Sequence, residues 1–451
     1  MVNFHQQIKP FFFFLLYRLC INFLVKILGS QNFKEEEKKK IKRKNKTNNE
    51  SSDTSSESTE SSETTSSSDS EDFLDSGDED WYNSKNRLCK WIITHKLNYQ
   101  SLTTQWIASE SPKSKQTIIL ATNKENKNSS SNCLTIGNFT FDEEMKGEIK
   151  INNEGKYFKY THRLKANTEI NRARYNPFDP QIIATKNADG KIYLYNLEKE
   201  ENPFAILKGH DKEGYGLSWN KYKQGLLLSG SYDNKICVYD LERFGSKKIQ
   251  PKKIFNIHNN VVEDVEWLPQ TDSVFGSVSD DKKFILTDLR TKNRIKEFVT
   301  HTSETNTLAF NPKNNNFLLT GSNDLTIKLW DLRNHKLPVH IFKNHTQAVY
   351  RLIWYPFETN IFASSEDGTK IYLWDINKIG GEKFDMYDDS PTELIFTHSE
   401  HRSVIRDFSW NPTIPFVISS TDDDHKHKII KIKKKAIHFR QSQLKEDFIE
   451  L

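Results

Sequence analysis

Cysteine is scarce in this chain of 451 residues, and its four cysteines follow no pattern. Cys20, Cys89, Cys133 and Cys237 form no CxxC pair and no regular framework. Disulfide scaffolds and zinc fingers depend on such spacing, so both classes are excluded. We expect inert thiols and a reducing compartment.

Net charge and long apolar runs are lacking as well. The 65 basic and 61 acidic residues leave a net charge of +4, and this total alone indicates no nucleic-acid binder. The most apolar segment, residues 11–28, is interrupted by Arg18 and Lys26, whereas a spanning helix needs about 20 consecutive apolar residues and a signal peptide needs a small-residue cleavage site. Residues 1–30 therefore stay open between a targeting segment or anchor, an interfacial helix and a misassigned start.

Residues 31–80 have the composition of a disordered linker, first basic and then rich in Ser and acids. Lys38 to Lys44 read KKKIKRK, a run typical of nuclear localisation, with a generic solvated lysine tract as the alternative. Between Glu50 and Asp80 there are twelve acidic residues and no Lys or Arg. Such a segment cannot bury enough apolar surface to offset chain entropy. We expect a flexible polyanion that either attracts basic proteins or only solubilises the chain.

A repeat of about 44 residues governs residues 160–425. Five histidines mark it: His210, His258, His301, His345 and His401. An aromatic residue follows each of them nine positions later: Trp219, Trp267, Phe310, Trp354 and Trp410. An apolar run, a small-residue turn and an Asp seven residues before a closing acid come next, as in GSYDNKICVYD ending at Asp240. The recurrent His and Asp are expected to form a buried hydrogen-bond network within each unit, and not a metal site or a catalytic pair.

Four short strands per unit are typical of a propeller blade, and alternation such as that of Ile327 to Trp330 has the period of a strand. Closing positions fall near Asn196, Asp240, Asp288, Asp331 and Asp375, with a degenerate unit near residue 430 and an upstream unit at Cys133 to Phe141. The sequence therefore predicts an all-β, seven-bladed WD-repeat propeller over residues 101–432. Ser101 to Ile107 are expected to be an outer strand that closes the ring, residues 81–100 a flanking N-terminal helix, and residues 433–451 a tail with an apolar stripe suited to a helix.

The phase of the repeat predicts two binding surfaces. Positions three and five after each His should ring one mouth of the central channel, where Glu169, Glu213, Glu263 and Glu304 alternate with Tyr215, Tyr350, Asn171 and Asn306. Converging carboxylates and aromatics suit a peptide that carries Lys or Arg; solvated loops with chance acids are the alternative. The insertion at residues 380–398 has an acidic tip and an apolar exit strand, which would dock an amphipathic basic helix or form only a long loop. Nothing resembles a nucleophile–base pair or a phosphate loop, so no enzymatic activity, cofactor or metal is expected.

The strings ANTEINRARYNP, GHDKEGYGLSWN, VVEDVEW and LWDLRNHKLPVH resemble the retinoblastoma-binding, Msi-type histone-binding WD-repeat family, from about Trp81 to Asp424. The resemblance implies a non-enzymatic scaffold of the nucleus, present also in the cytoplasm. It implies histones three and four as partners, within chromatin-assembly, deacetylase, remodelling or Polycomb-type complexes that serve replication-coupled nucleosome assembly and transcription regulation. Neither sequence-specific nucleic-acid binding nor a membrane partner is expected.

The resemblance also implies two sets of site residues. By motif match, the histone-tail site at the channel mouth comprises Glu169, Asn171, Glu213, Tyr215, Glu263, Asn306, Tyr350 and Asp423. The groove for a histone helix comprises Leu88, Ile92, Asp385, Asp388, Asp389, Leu394 and Phe396.

This chain also departs from the family pattern. Ala348 replaces an acid at the mouth, Arg406 adds positive charge there, and Arg87 replaces an aromatic in the groove. Weaker or differently specific binding is therefore expected. Two rival functions remain: a WD-repeat ribosome-assembly factor, and a membrane-associated trafficking scaffold that rests on residues 11–28 alone.

Overall fold

Seven sheets of mainly antiparallel strands make up the structure, which is a computed structural model. It describes residues 88–434 except 109–113, 124–131, 143, 152–154, 200–202, 243–246, 292 and 383–389. The sheets are the seven blades of a β-propeller, as the sequence predicted. The linker at residues 31–80 and the apolar segment before it lie outside the described residues, as do residues 435–451.

Each blade is given from its innermost strand outward. Blade 1 has β2 (Ser101–Ile107), β3 (Lys115–Thr122), β4 (Cys133–Thr140) and β6 (Phe158–Lys165). Blade 2 has β7 (Ile170–Asn176), β8 (Asp179–Asn187), β9 (Ile192–Asn196), β10 (Ala205–Leu207) and β14 (Lys248–Ile249). Blade 3 has β11 (Leu217–Trp219), β12 (Leu226–Gly230), β13 (Ile236–Asp240) and β15 (Lys253–Phe255). Blade 4 has β16 (Val262–Trp267), β17 (Val274–Ser279), β18 (Lys283–Asp288) and β19 (Arg294–Val299).

The last three blades follow the same plan. Blade 5 has β20 (Thr305–Phe310), β21 (Phe317–Ser322), β22 (Thr326–Asp331) and β23 (His340–Lys343). Blade 6 has β24 (Val349–Trp354), β25 (Ile361–Glu366), β26 (Ile371–Asp375) and β27 (Leu394–His398), with a 3-10 turn at Ile376–Lys378. Blade 7 has β28 (Ile405–Trp410), β29 (Val417–Asp422), β30 (Lys426–Ile432), β1 (Cys89–Lys96) and β5 (Gly147–Ile151).

Strand β1 closes the ring, and it corrects two expectations. The helix predicted over residues 81–100 is wrong for Cys89–Lys96, which pair antiparallel with β30; residues 81–87 lie outside the described residues. Ser101–Ile107 are the innermost strand of blade 1 and do not close the ring. The error has a physical cause: Trp91 and Ile92 point to opposite faces of a strand that is buried on both, so the apolar residues do not alternate.

The repeated histidines hold five of the seven blades, blades 3 to 7, together from inside, as predicted. In blade 5, His301 Nδ1 lies 3.0 Å from Asp324, and its Nε2 lies 2.8 Å from the hydroxyl of Thr320. The same His-to-acid contact recurs as His210–Asp233, His258–Asp281, His345–Glu366 and His401–Asp422. Buried polar groups that are hydrogen-bonded in this way rigidify a core.

The recurrent tryptophans join neighbouring blades. The indole N–H of Trp354 donates to the carbonyl oxygen of Ala309 in the preceding blade at 3.0 Å. Equivalent bonds run from Trp219 to Arg174, from Trp267 to Ser218 and from Trp410 to Ile353. Blade 5 has Phe310 at this position, and there the backbone N–H of Phe310 donates instead to the carboxylate of Glu266 at 2.8 Å.

Candidate binding surfaces

One backbone hydrogen bond, repeated in every blade, builds the channel mouth. The residue that follows the second strand donates its N–H to the carbonyl of a residue just ahead of the innermost strand. The seven pairs are Asn123 to Gln100, Ala188 to Glu169, Tyr232 to Glu213, Asp280 to Val261, Asn323 to Glu304, Asp367 to Ala348 and Asp423 to Val404, at 2.7 to 3.1 Å. Three positions per blade therefore line one end of the ring: the residue that donates, the residue that accepts, and the residue two positions after the acceptor.

Two glutamates mark the mouth at blades 2 and 3. The carboxylate of Glu213 accepts a hydrogen bond from Asn171 Nδ2 at 2.9 Å. Glu169 is held less tightly, since Asn123 Nδ2 lies 3.4 Å from its Oε1. Burial, and then the negative charge of Glu213, raise the pKa of Glu169. This mutual repulsion is relieved when a cation binds between them.

Glu263 is the most perturbed acid of the mouth. Burial, followed by the charges of Asp280 and Asp264, raises its pKa to about 8. The charge of Glu263 acts on the pKa of Tyr232, whose ring centre lies 6.2 Å from that of Tyr215. A carboxyl group in this state gains an ionic bond only when a positive charge arrives to compensate it.

On the far side of the mouth, Tyr350 is the exposed aromatic. Its side chain is 43% exposed, and burial, Asp367 and Glu263 raise its pKa. Asn306 is buried and donates to Asn323 at 2.7 Å and to the carbonyl of Val349 at 3.1 Å. Asn306 therefore positions its neighbours, whereas Tyr350 can contact a ligand.

Arg406 forms an ion pair with Asp423, which the sequence analysis placed among the acids that bind the ligand. The guanidinium Nε lies 2.6 Å from one carboxylate oxygen of Asp423, and Nη2 bonds the other. Gln100 also donates to this carboxylate. The negative charge of the mouth is thus concentrated at blades 2 to 5, since Arg406 also acts on Asp367 of blade 6.

A layer of arginines lies below the acidic mouth. Arg172, Arg174 and Arg351 surround Asp407, with nitrogen–oxygen distances of 2.9, 3.3 and 3.4 Å. Burial alone would raise the pKa of Asp407, but the three guanidinium groups lower it to about 2. This layer repels a cation, so a basic side chain is favoured at the mouth and not deeper in the channel.

Sequence reasoning missed three mouth residues: Tyr232, Asp280 and Asp367. The backbone bonds described above put them in the ring with the expected acids. A signal was present, since each directly precedes the turn position held by Asp233, Asp281 and Gly368. The same offset yields Asn323 and Asp423.

The predicted helix groove is only partly described. Asp385, Asp388 and Asp389 lie outside the described residues. Ile92 and Phe396 are buried in one cluster between blades 6 and 7, with Leu88 packed against it, and Leu394 is buried in the neighbouring cluster. The structure brings these apolar residues close together; that they bind a helix stays a prediction.

Comparison with known families places the chain. Residues 78–141 match the family described as the histone-binding protein RBBP4 or a component of the CAF1 complex. Residues 201–240, 292–331 and 336–375 match the WD domain, G-beta repeat. These matches support the retinoblastoma-binding, Msi-type family of histone-binding WD-repeat proteins. This WD-repeat protein is a histone-binding subunit of a non-enzymatic scaffold type, and the match implies chromatin assembly.

The described residues contain no group of three or more His, Cys, Asp or Glu that could hold a metal ion. The same residues include no helix with the length and apolar content of a membrane span. The apolar run at residues 11–28 lies outside this part of the chain.

Proposed function

We propose that this Msi-type protein binds the basic tail of histone three at the channel mouth and a helix of histone four at the groove of blades 6 and 7. It would do so in the nucleus, as a subunit of complexes that assemble or modify chromatin. The observation that carries the first part is the cluster of acids around Glu263, whose pKa values are raised by burial and then by the negative charge of neighbouring acids. Arginine or lysine in an extended tail supplies the missing charge.

The aromatic residues of the mouth support the same ligand. Tyr215 and Tyr350 belong to blades on opposite sides of the acids of blade 4, and the guanidinium of Arg172 already lies 5.9 Å from the ring centre of Tyr215. Such rings attract cations through their faces. A basic peptide therefore meets carboxylates and ring faces together, and its binding should weaken with salt.

The test is a titration of the purified protein with labelled peptides of the histone-three tail and the first helix of histone four, at two salt concentrations. Glu213→Gln with Glu263→Gln should weaken tail binding at least about tenfold, since two charge-assisted contacts are lost. A matched control is Glu198→Gln with Glu358→Gln, which removes the same charge from exposed positions at the opposite ends of the strands. Equal tail affinity in the two double variants would contradict the assignment of the mouth.

A further inference from the structure

A basic pocket lies on blade 1 at the end of the ring opposite the mouth. Strand β3 begins at Lys115 and ends at Thr122, which directly precedes Asn123 at the mouth. Eight residues of strand separate the two ends by about 23 Å. Whatever binds at Lys115 therefore leaves the acidic mouth free.

Strand register puts polar donors on one face of this corner. Thr117 lies opposite Asn138, and Asn138 lies opposite Lys159, so the three share a face. Lys115 and Thr140 form the next row of the same face. The hydroxyl of Thr117 donates to Asn138 Oδ1 at 2.8 Å, which leaves the amide N–H groups of Asn138 to donate outward.

These rows line an open pocket of about 590 Å³. Its charged residues are Lys115, Lys156 and Lys159, and its neutral donors include Asn138, Thr140 and Thr161. The only ion pair that these three lysines make among the described residues joins Lys156 to Asp142 at 3.8 Å, with side chains 72% and 43% exposed. An exposed pair of this kind is weak, so it does not prevent Lys156 from meeting another anion.

Further lysines lie on blade 7, beyond the connecting segment that carries Asp142 and Glu144. Strands β1 and β5 pair in parallel with Trp91 opposite Gly147, so Lys90 and Lys146 lie side by side at their starts. Trp91 also lies opposite Lys431 on β30, and burial, followed by the charge of Lys90, lowers the pKa of Lys431. Lys433 and Lys434 follow directly in the chain. Lysines gathered in this way raise the local positive potential, which favours a polyanion.

We propose that this basic edge, defined by Lys90, Lys115, Lys146, Lys156, Lys159 and Lys431, binds the phosphate backbone of duplex DNA without regard to sequence. Ammonium, hydroxyl and amide donors are the groups that contact phosphates, and lysine offers a point charge where arginine offers a fork. The charges extend over two blades, which fits a linear polyanion better than a single bound ion. The inference is independent of the proposed histone site.

The experiment measures binding of the full chain to a labelled duplex of mixed sequence by fluorescence anisotropy at several salt concentrations. For the unaltered protein, the logarithm of the binding constant should fall linearly with the logarithm of salt. Lys115→Gln with Lys159→Gln should make this slope shallower by about two and weaken binding about tenfold at low salt, because two phosphate contacts are lost.

The matched control is Lys313→Gln with Lys336→Gln, which removes two exposed charges from blade 5. Both double variants keep the basic run at Lys38 to Lys44, so any DNA binding by that run contributes equally to the two measurements. Equal slopes for the two double variants would overturn the proposal. A second outcome would also overturn the proposal. If the lysine substitutions weaken binding of a labelled poly-glutamate but not of DNA, the edge binds an acidic protein. The Lys115→Gln, Lys159→Gln variant should bind the histone-tail peptide with unchanged affinity, which shows that the DNA result does not depend on the channel mouth.

Discussion

Asp280 and Asp281 are neighbours in the chain, yet their carboxylates lie in opposite electrostatic environments. Burial, then Glu304, raises the pKa of Asp280 at the mouth. Burial also acts to raise the pKa of Asp281, but the contact with His258 at 3.0 Å and backbone donors at residues 259 and 283 lower it. One carboxylate already has its partners within the fold, and the other lies among acids and tyrosines of the mouth.

A similar contrast separates Glu169 and Glu263 at the mouth from Asp324 and Asp407 in the interior. Asp324 and Asp407 have lowered pKa values because His or Arg groups bind them within the fold. Glu169 and Glu263 have raised pKa values because burial disfavours their charge and neighbouring acids repel it. Asp324 and Asp407 therefore stabilise the propeller, whereas the charges of Glu169 and Glu263 are a cost that a basic ligand removes.

The largest effect is expected at the centre of the interior set. Asp407→Asn removes the only carboxylate among the described residues within 3.5 Å of the guanidinium groups of Arg172, Arg174 and Arg351. Leaving such charges uncompensated costs about 3–5 kcal/mol. Urea unfolding followed by circular dichroism measures it. A loss below about 1 kcal/mol would mean that the arginine layer does not depend on Asp407.

The neighbouring pair gives a sharper comparison. Asp281→Asn should lower the free energy of unfolding by about 1–3 kcal/mol, since His258 loses an ionised partner, and should leave tail-peptide affinity nearly unchanged. Asp280→Asn should do the reverse, weakening the peptide while preserving stability. Unfolding and peptide titration of both variants provide the two readouts. If both variants lose only stability, the distinction between the two sets fails.

Glu263 tests whether a mouth acid opposes folding. Its folded pKa of about 8 lies above the usual 4.5, so between these values the folded state holds more protons than the unfolded state, and stability falls as pH rises. Glu263→Gln should therefore be more stable than the unaltered protein above pH 8 by roughly 1.4 kcal/mol or more, the equivalent of one pKa unit. Below pH 4.5 the two proteins should melt alike. Thermal melts across this range decide it.

The smallest expected effect is the pH dependence of binding. Glu263 gains its charge as pH rises through about 8, while the lysines of a peptide stay protonated to about 10. Affinity for the histone-three tail should therefore rise a few-fold between pH 7 and pH 9, and Glu263→Gln should flatten the curve. A steep rise that survives in the variant would assign the titration to another group.

Much of the fold could be predicted because the same residue types recur along the chain at fixed spacing. His301, Asp324 and Asp331 keep their distances in several units, and an apolar run with the period of a strand lies between them. Blades 6 and 7 depart from this spacing. His345 contacts Glu366 and His401 contacts Asp422, each at the end of the second strand of its blade and not in the turn. A carboxylate at either position reaches the same imidazole.

The channel mouth was partly predictable for the same reason. Position within the repeat located Glu213, Glu263 and Tyr350. It could not show that Arg406 neutralises Asp423, or that Asn171 and Asn306 are buried and bond to their neighbours. Those outcomes depend on which side chains meet across adjacent blades, and residues 406 and 423 meet only after the strands between them have paired.

The sequence by itself determined most of the strands, the plan of four strands per blade and the phase of the repeat, because spacing and alternation are local properties of the chain. Only the tertiary structure decided how the ring closes, since β1 pairs with β30 across more than three hundred residues. It also decided the charge of each end. The acids of the mouth and the lysines of blades 1 and 7 are scattered along the chain, and they are brought together when the blades close into a ring.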